Sequence, residues 1–576
     1  MTKIIIDLKK QQVLERPKSP SPSFLSKMFI IPKNDGSFRP VFDLRGLNRY
    51  VHTKHFQLIS HASIPEFLQN GDWMVKIDIS NAYFHIPIAE SHRCYLRMIY
   101  NNELLQMNSL PFGLASAPRT FAAVTNWIAE ILRDKEIRVL VYLDDFLLVH
   151  QDQAKLVSQT AEVVRLLESM GWQINYLKSV LKPMQQLEYL GITWNTKTDT
   201  MYLSERKIKN IKTAITKLLS KKACNLKQVQ KILGQLNFAS FVIRRGRLHC
   251  RYIQILLNRF KQNLKNKRVL PPQVRQDLRW WSQSLVGKAV LHQRPYTHFL
   301  TTDAADTGWG AQLNEKMMSG VWTKDQMKWH SNWKELFAVY ASIQKQSHCL
   351  QNAHILVQSD NRTLVAYIRN DGGTHSMSLL NLTCKLLRLT DRKNILLSAH
   401  YLPGRYNCTA DHLSRGRRLS EWHLLPAVTN QLFHRWGIPD VDLFASAETA
   451  VVSRYVSLDW KDNLAIFPNA FSQDWNFRLG WIFPPPSLIP RVLAQLNRAK
   501  GHYILIAPLW EKTFWLADLK NRALEPPVTI EKISENLVDT ATGLPPPQAD
   551  QLNLQAWLVG GGQNQLVDGQ NQKNNY

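Results

Sequence analysis

Two apolar runs of strand length, Val139-Leu140-Val141-Tyr142-Leu143 and Phe146-Leu147-Leu148-Val149, flank the adjacent carboxylates Asp144 and Asp145. The spacing predicts a β-hairpin with buried arms and both carboxylates at its turn. Asn-Gly or Asp-Gly would make the better turn, so this turn is selected for carboxylates. Upstream, Met74-Val75-Lys76-Ile77-Asp78 reads as a strand whose pattern breaks at Asp78. Residues 29–48 read as strand, Asp-Gly hairpin, strand, and residues 153–170 as an amphipathic helix. Between Arg206 and Arg268, Ile and Leu recur at helical spacing. Further on, 297–305, 309–313 and 354–360 read as strands, and 332–340 as a helix. A second helix opens at 409–415. From Glu421 the chain turns Trp- and Pro-rich, with strand-like runs around 441–446, 483–486 and 503–510. Residues 543–576 are Pro/Gly/Gln/Asn-rich and predict disorder.

Composition narrows the partners. The 576 residues are 44% hydrophobic, enough for several domains with real cores. A formal net charge of +27 and a pI near 9.8 point to a polyanionic partner. The acids are unevenly spread: residues 206–268 contain none. Lys207, Lys209, Lys212, Lys217, Lys221, Lys222, Arg244, Arg245, Arg247 and Arg251 lie there, and a helical grip on a nucleic-acid backbone is expected. No run of about 18 apolar residues occurs, so no membrane span or membrane partner is expected. The first ten residues are too short and mixed for a signal peptide. The six cysteines are scattered without a C-x-x-C pair. That favours a reducing, intracellular setting, cytoplasmic or nuclear, and argues against a zinc knuckle.

Two adjacent buried aspartates are costly unless a cation neutralises them. A strand ending in Asp78 beside the Asp144–Asp145 hairpin gathers three carboxylates at one sheet edge. Hard oxygen ligands suit Mg2+. Two such ions about 3.5–4 Å apart activate a primer 3′-hydroxyl and stabilise a leaving pyrophosphate. This is a polymerase palm arrangement.

Tyr142-Leu143-Asp144-Asp145 resembles the catalytic box of reverse transcriptases, and the run from Lys76 to Ile88 resembles their first aspartate box. The resemblance implies a right-hand polymerase of fingers, palm and thumb. It implies Lys33 and Arg39 of the Asp-Gly hairpin as triphosphate ligands, Arg39 being the better match. Tyr83 would lie under the sugar as a steric gate, selecting deoxynucleoside triphosphates. Residues 110–121 resemble the box that packs on the templating pair. Phe112 stands there where retroviral enzymes carry Gln, as is common in retrotransposon enzymes. Lys178 resembles the lysine of the fourth box, and residues 187–194 the primer grip.

A second carboxylate set follows. Asp303, Glu335, Asp360 and Asp411 each fall at a strand end or helix start, and four such acids again suit two Mg2+, with Mn2+ as a substitute. The pattern resembles ribonuclease H, which implies hydrolysis of RNA in an RNA–DNA hybrid. His400 is the nearest match for the retroviral loop histidine, although Tyr401-Leu402-Pro403-Gly404 occupies the expected place. Asp306-Thr307-Gly308 matches an aspartic-protease triplet but falls in a ribonuclease H turn.

The C-terminal third resembles the adenine-methyltransferase-like segment of DIRS-like retroelements. Phe483 stands where a working enzyme has Asp or Asn before Pro-Pro, so a degenerate module is expected. The fold class is therefore multidomain, α+β and α/β. Its expected parts are fingers and palm (1–202), basic thumb (203–270), connection (271–295), ribonuclease H-like domain (296–418), degenerate α/β module (419–530) and disordered tail (531–576). The expected function is that of an RNA-directed DNA polymerase with ribonuclease H, acting on RNA template, DNA primer and RNA–DNA hybrid. It would replicate a DIRS-like or related LTR-type retrotransposon. The alternative is an inactive nucleic-acid-binding relic. No integrase, recombinase, nucleocapsid or protease segment is evident, so the chain is expected to be part of a larger element.

Overall fold

The computed structural model describes residues 1–18, 22–32, 38–260, 267–416, 421–540, 543–546 and 549–562. The chain divides into two compact units. The first holds residues 1–222, 234–246 and 278–293; the second holds 223–233, 247–277 and 294–576. The expected basic thumb is therefore shared between them, and its helix Leu226–Ala239 spans the division.

In the first unit, the predicted strands pair as a four-stranded antiparallel sheet. Its order is Arg138–Tyr142, Asp145–His150, Trp73–Asp78, Val180–Met184. Phe146, Leu148, Val75 and Ile77 are fully buried. They pack with Phe121, Ile128 and Leu132 of helix Ala117–Asp134, and with Leu156, Val163 and Leu167 of helix Gln153–Ser169. Each such side chain contributes roughly 1.5–3 kcal/mol of burial. This core fixes the edge that carries the carboxylates. A separate hairpin pairs Met28–Pro32 with Phe38–Phe42. Strands Gln186–Tyr189 and Ile192–Asn195 are joined by Leu190-Gly191, both at positive φ (51° and 78°). That is the two-residue turn whose twist suits a hairpin.

In the second unit, a five-stranded sheet runs Lys316–Val321, Gly308–Leu313, His298–Ala304, His354–Ser359, Leu396–Tyr401. The first three strands are antiparallel and the last three parallel. Helix Ser331–Lys345 buries Leu336, Val339 and Ile343 against it. Helix Cys408–Ser414 crosses close over the sheet at Gly310. A Cβ there would meet the Ala410 carbonyl oxygen and come within 2.6 Å of Leu413 Cβ.

The same unit contains a second five-stranded sheet, ordered Val441–Asp442, Asn476–Ile482, Lys500–Pro508, Leu554–Gly560, Val528–Ile530. The first three strands are parallel. The expectation of disorder from residue 531 onward is corrected here. Leu554–Gly560 pairs with Lys500–Pro508 as an inner strand, and Leu554, Ala556, Trp557 and Val559 are buried. The Gly- and Gln-rich flanks masked this apolar run. Residues 563–576 lie outside the described residues.

Candidate active sites

In the first site, strand register sets the geometry. Asp78 is the direct partner of Asp145, and Asp145 also pairs with Tyr142. Only one of the two adjacent carboxylates is in the turn: Leu143 and Asp144 form it, and Asp145 opens the next strand. Leu143 takes up the left-handed conformation (φ 54°) that the turn requires, a costly state for a branched residue that a packed surrounding must enforce. The turn is tied across the sheet by the Ile79 N–H, which donates to the Asp144 carbonyl at 3.0 Å. The Asp78 N–H donates to Ser179 Oγ at 3.0 Å. The Tyr189 hydroxyl donates to the Asp145 carbonyl at 3.1 Å, joining the Gln186–Asn195 hairpin to the carboxylate edge.

Burial, then the charges of Asp145 and Asp78, push the Asp144 carboxyl up to about 6. Burial and Asp145 also raise Asp78, against the pull of Lys178 and Lys76. Lys76, on the same strand as Asp78, places Nζ 2.9 Å from Asp145 Oδ1. Sequence reading passed over Lys76. Its signal was a cation two residues before a carboxylate, on the same face of a strand.

The nucleotide-contact expectations divide. The Arg39 guanidinium lies over the Phe112 ring at 5.2 Å, and Phe112 meets Tyr83 at 4.8 Å. Tyr83 is half-buried, its phenol raised first by burial and then by Asp144. These three therefore converge beside the carboxylates. Gly113 (φ 113°) lets the loop pass the Phe42 carbonyl, where a Cβ would clash. Lys178 lies near enough to lower Asp78. Lys33 lies outside the described residues.

Of the basic positions, Lys209, Lys217, Lys222, Arg244 and Arg247 are exposed. Lys207, Lys212, Lys221 and Arg245 are partly covered. Lys207 Nζ sits 4.5 Å over the Phe238 ring. Two of the expected nucleic-acid contacts also have partners within the protein. Arg251 bonds the Asn370 carbonyl and Gln254 Oε1, and burial lowers its pKa. Arg247 donates to the Arg369 carbonyl at 3.2 Å and to Asn370 Oδ1 at 3.3 Å. Both satisfy carbonyls at the end of helix Arg362–Arg369, a common use of Arg.

In the second site, Asp303 is near the end of His298–Ala304, Asp360 follows His354–Ser359, and Glu335 lies in the first turns of Ser331–Lys345. Each offers an oxygen, and these oxygens lie within 4.8 Å of one another, the one such acidic group among the described residues. Burial first, then Asp303 and Asp360, push the Glu335 carboxyl up to about 9; burial and Asp303 push Asp360 to about 6. Glu335 Oε2 is buried without a hydrogen-bond partner. Burial raises Asp303 as well. Crowded, desolvated oxygens with one left unpartnered fit a divalent cation, which would reverse all three shifts.

Asp411 is set apart from that group. Its carboxylate accepts from Arg415 Nε at 2.7 Å, one helical turn away. Ser414 Oγ donates to Asp303 Oδ2 at 2.5 Å. Arg415 could have been found from its i+4 spacing to Asp411; Ser414 carried no comparable signal. His400 is unsuited to a mobile catalytic role. It packs at 3.9 Å on Phe514, Arg369 approaches its Nδ1 at 2.8 Å, and burial lowers it to about 4. Of the Asp306-Thr307-Gly308 triplet, Asp306 and Thr307 lie in the turn between paired strands and Gly308 opens the second strand. In the C-terminal sheet, Phe483 follows strand Asn476–Ile482 and packs against the core. Asp442 is spent on loop structure, accepting from the Phe444 and Val451 N–H groups.

Residues 31–194 match the family model described as reverse transcriptase (RNA-dependent DNA polymerase), and residues 294–387 match the RNase H-like domain found in reverse transcriptase. The Transposon Tf2-3 polyprotein of Schizosaccharomyces pombe is 24% identical over 404 residues, covering 67% of this chain and 28% of its own length. The Tf2-7 polyprotein of the same organism matches to the same extent. The chain thus spans about 28% of the length of the curated relatives it matches. Among solved structures, the foamy viral protease-reverse transcriptase dRH in complex with ds DNA aligns at 21% identity and a TM-score of 0.46, over 69% of each chain. The foamy viral protease-reverse transcriptase in complex with RNA/DNA hybrid aligns at 19% identity and 0.45, over 69% of this chain and 53% of that one. No helix among the described residues is long and apolar enough to cross a membrane. The chain carries a reverse transcriptase domain and, after it, a ribonuclease H-like domain of the kind found in reverse transcriptases.

Proposed function

We propose that the chain is an RNA-directed DNA polymerase with ribonuclease H activity. The observation that carries this reading is the pairing of Asp78 with Asp145 at a sheet edge, with Asp144 in the adjoining turn. Asp78, Asp144 and Asp145 would hold one pair of Mg2+ ions, and Asp303, Glu335, Asp360 and Asp411 a second, with Mn2+ as a substitute. Bound there, such ions activate a hydroxyl or water and stabilise charge on the leaving oxygen.

The protein's own groups do the positioning. Arg39 would face the triphosphate and Tyr83 the sugar, while Phe112 packs both without a side-chain hydrogen bond. Lys178 would sit beside the departing phosphates. In the second site, Ser414 orients Asp303 and Arg415 restrains Asp411. The substrates would be an RNA template, a DNA primer, deoxynucleoside triphosphates and the resulting hybrid, held partly by the exposed lysines of 206–222. We assign the chain to an LTR-type retroelement. The narrower DIRS-like reading rests on the α/β module after the ribonuclease H-like domain, whose first three strands are parallel.

The two-centre reading is tested by separation of function. Asp303→Asn should abolish cleavage of an RNA–DNA hybrid and leave primer extension intact. Loss of both activities in a folded variant would overturn it.

A further inference from the structure

The ribonuclease H-like domain and the C-terminal module share one hydrophobic core. Leu402 and Tyr406 pack in a single cluster with Trp481, Ile504 and Ile506. Gln358, on the strand that leads to Asp360, donates to the Ser487 carbonyl at 2.7 Å in a buried setting. The module is thus built into the support of one carboxylate.

Its Trp510 reaches further. The indole meets Tyr401 at 6.4 Å and Tyr406 at 6.2 Å. Each tyrosine carries an arginine: Arg362 lies 4.7 Å over Tyr401, and Arg405 lies 5.1 Å over Tyr406. Both arginines are exposed. Both also flank Asp360. Arg362 follows it by two residues, and a Cβ on Gly404, the neighbour of Arg405, would lie 2.8 Å from Asp360 Oδ2. A guanidinium held over a ring loses less side-chain freedom when its N–H fork meets a phosphate.

We propose that Arg362 and Arg405 bind backbone phosphates of an RNA–DNA hybrid on either side of Asp360, and that Trp510 is the positioning residue that holds both tyrosine platforms. The C-terminal module then sets hybrid affinity rather than performing chemistry of its own. This rests on the ribonuclease H reading.

The test uses the full chain and a labelled RNA–DNA hybrid. The Arg362→Ala/Arg405→Ala double variant should raise the dissociation constant and KM about tenfold at unchanged kcat. It should also flatten log K against log salt by about 0.7–0.9 per lost phosphate contact. Trp510→Ala should reproduce part of both effects, and Trp510→Phe should restore them. Unchanged affinity and slope in the double variant would overturn the phosphate contacts. A Trp510→Phe variant as weak as Trp510→Ala would overturn the positioning role, as would a Trp510→Ala defect confined to thermal stability. Should the wild type bind hybrid without cleaving it, the ribonuclease H reading fails, while the affinity comparison still decides the proposal.

Discussion

Lys76 Nζ stands 2.9 Å from Asp145 Oδ1, both side chains about four-fifths buried (19% and 20% exposed). One lysine thereby opposes the burial and the repulsion that together raise Asp78 and Asp144. The same ammonium opposes a divalent cation. Lys76→Met should therefore lower the Mg2+ concentration for half-maximal primer extension several-fold. Without metal it should reduce the melting temperature of the unit by about 2–4 °C per kcal/mol lost. An unchanged Mg2+ midpoint would remove Lys76 from this role.

The ribonuclease H-like cluster should be felt in the pH dependence of stability. Glu335 rises from 4.5 unfolded to about 9 folded. Between those values the native state holds the extra proton, so its contribution to stability is full below 4.5 and is lost as pH climbs towards 9. The metal-free chain should unfold more easily at pH 8 than at pH 6, and Mg2+ should narrow the gap. Thermal melts at both values, with and without Mg2+, measure this. A gap indifferent to Mg2+ would contradict cation binding by these oxygens.

Gly310→Ala should act on one activity alone. The added methyl would push against Leu413 and the backbone of helix Cys408–Ser414, which carries both Asp411 and Ser414. Overpacking of this kind costs roughly 1–3 kcal/mol. Hybrid cleavage should fall at least tenfold while primer extension stays within twofold of wild type.

Arg251 and Lys217 should separate by what they serve. Arg251→Ala removes a hydrogen bond to the Asn370 carbonyl and should cost about 0.5–1.5 kcal/mol of stability. It should leave the salt dependence of nucleic-acid binding unchanged. Lys217→Ala, at an exposed position, should reduce that salt dependence and leave stability alone. Chemical denaturation and binding titrations in parallel distinguish them.

Much of the carboxylate geometry was legible because it follows from period. Alternation in residues 73–78 and 139–149 sets which strand ends meet, and so brings Asp78 opposite Asp145. The i+4 spacing equally sets Arg415 against Asp411. Contacts distant in sequence were not legible. Arg247 and Arg251 look like part of a basic stripe, and only the structure shows that both also bond Asn370, more than a hundred residues away. His400 was judged without Phe514 against it. Strand Leu554–Gly560 was lost in the average composition of its flanks. The Asp144–Asp145 turn was misplaced by one residue, because an apolar Leu143 gives no hint of a left-handed backbone.

Extension of a labelled DNA primer on an RNA template, with Mg2+ and deoxynucleoside triphosphates, puts the whole reading at stake in one gel. The wild-type chain should lengthen the primer, and Asp144→Asn, folded to the same melting temperature or higher, should not. Equal extension by both proteins, or none by the wild type, would contradict it.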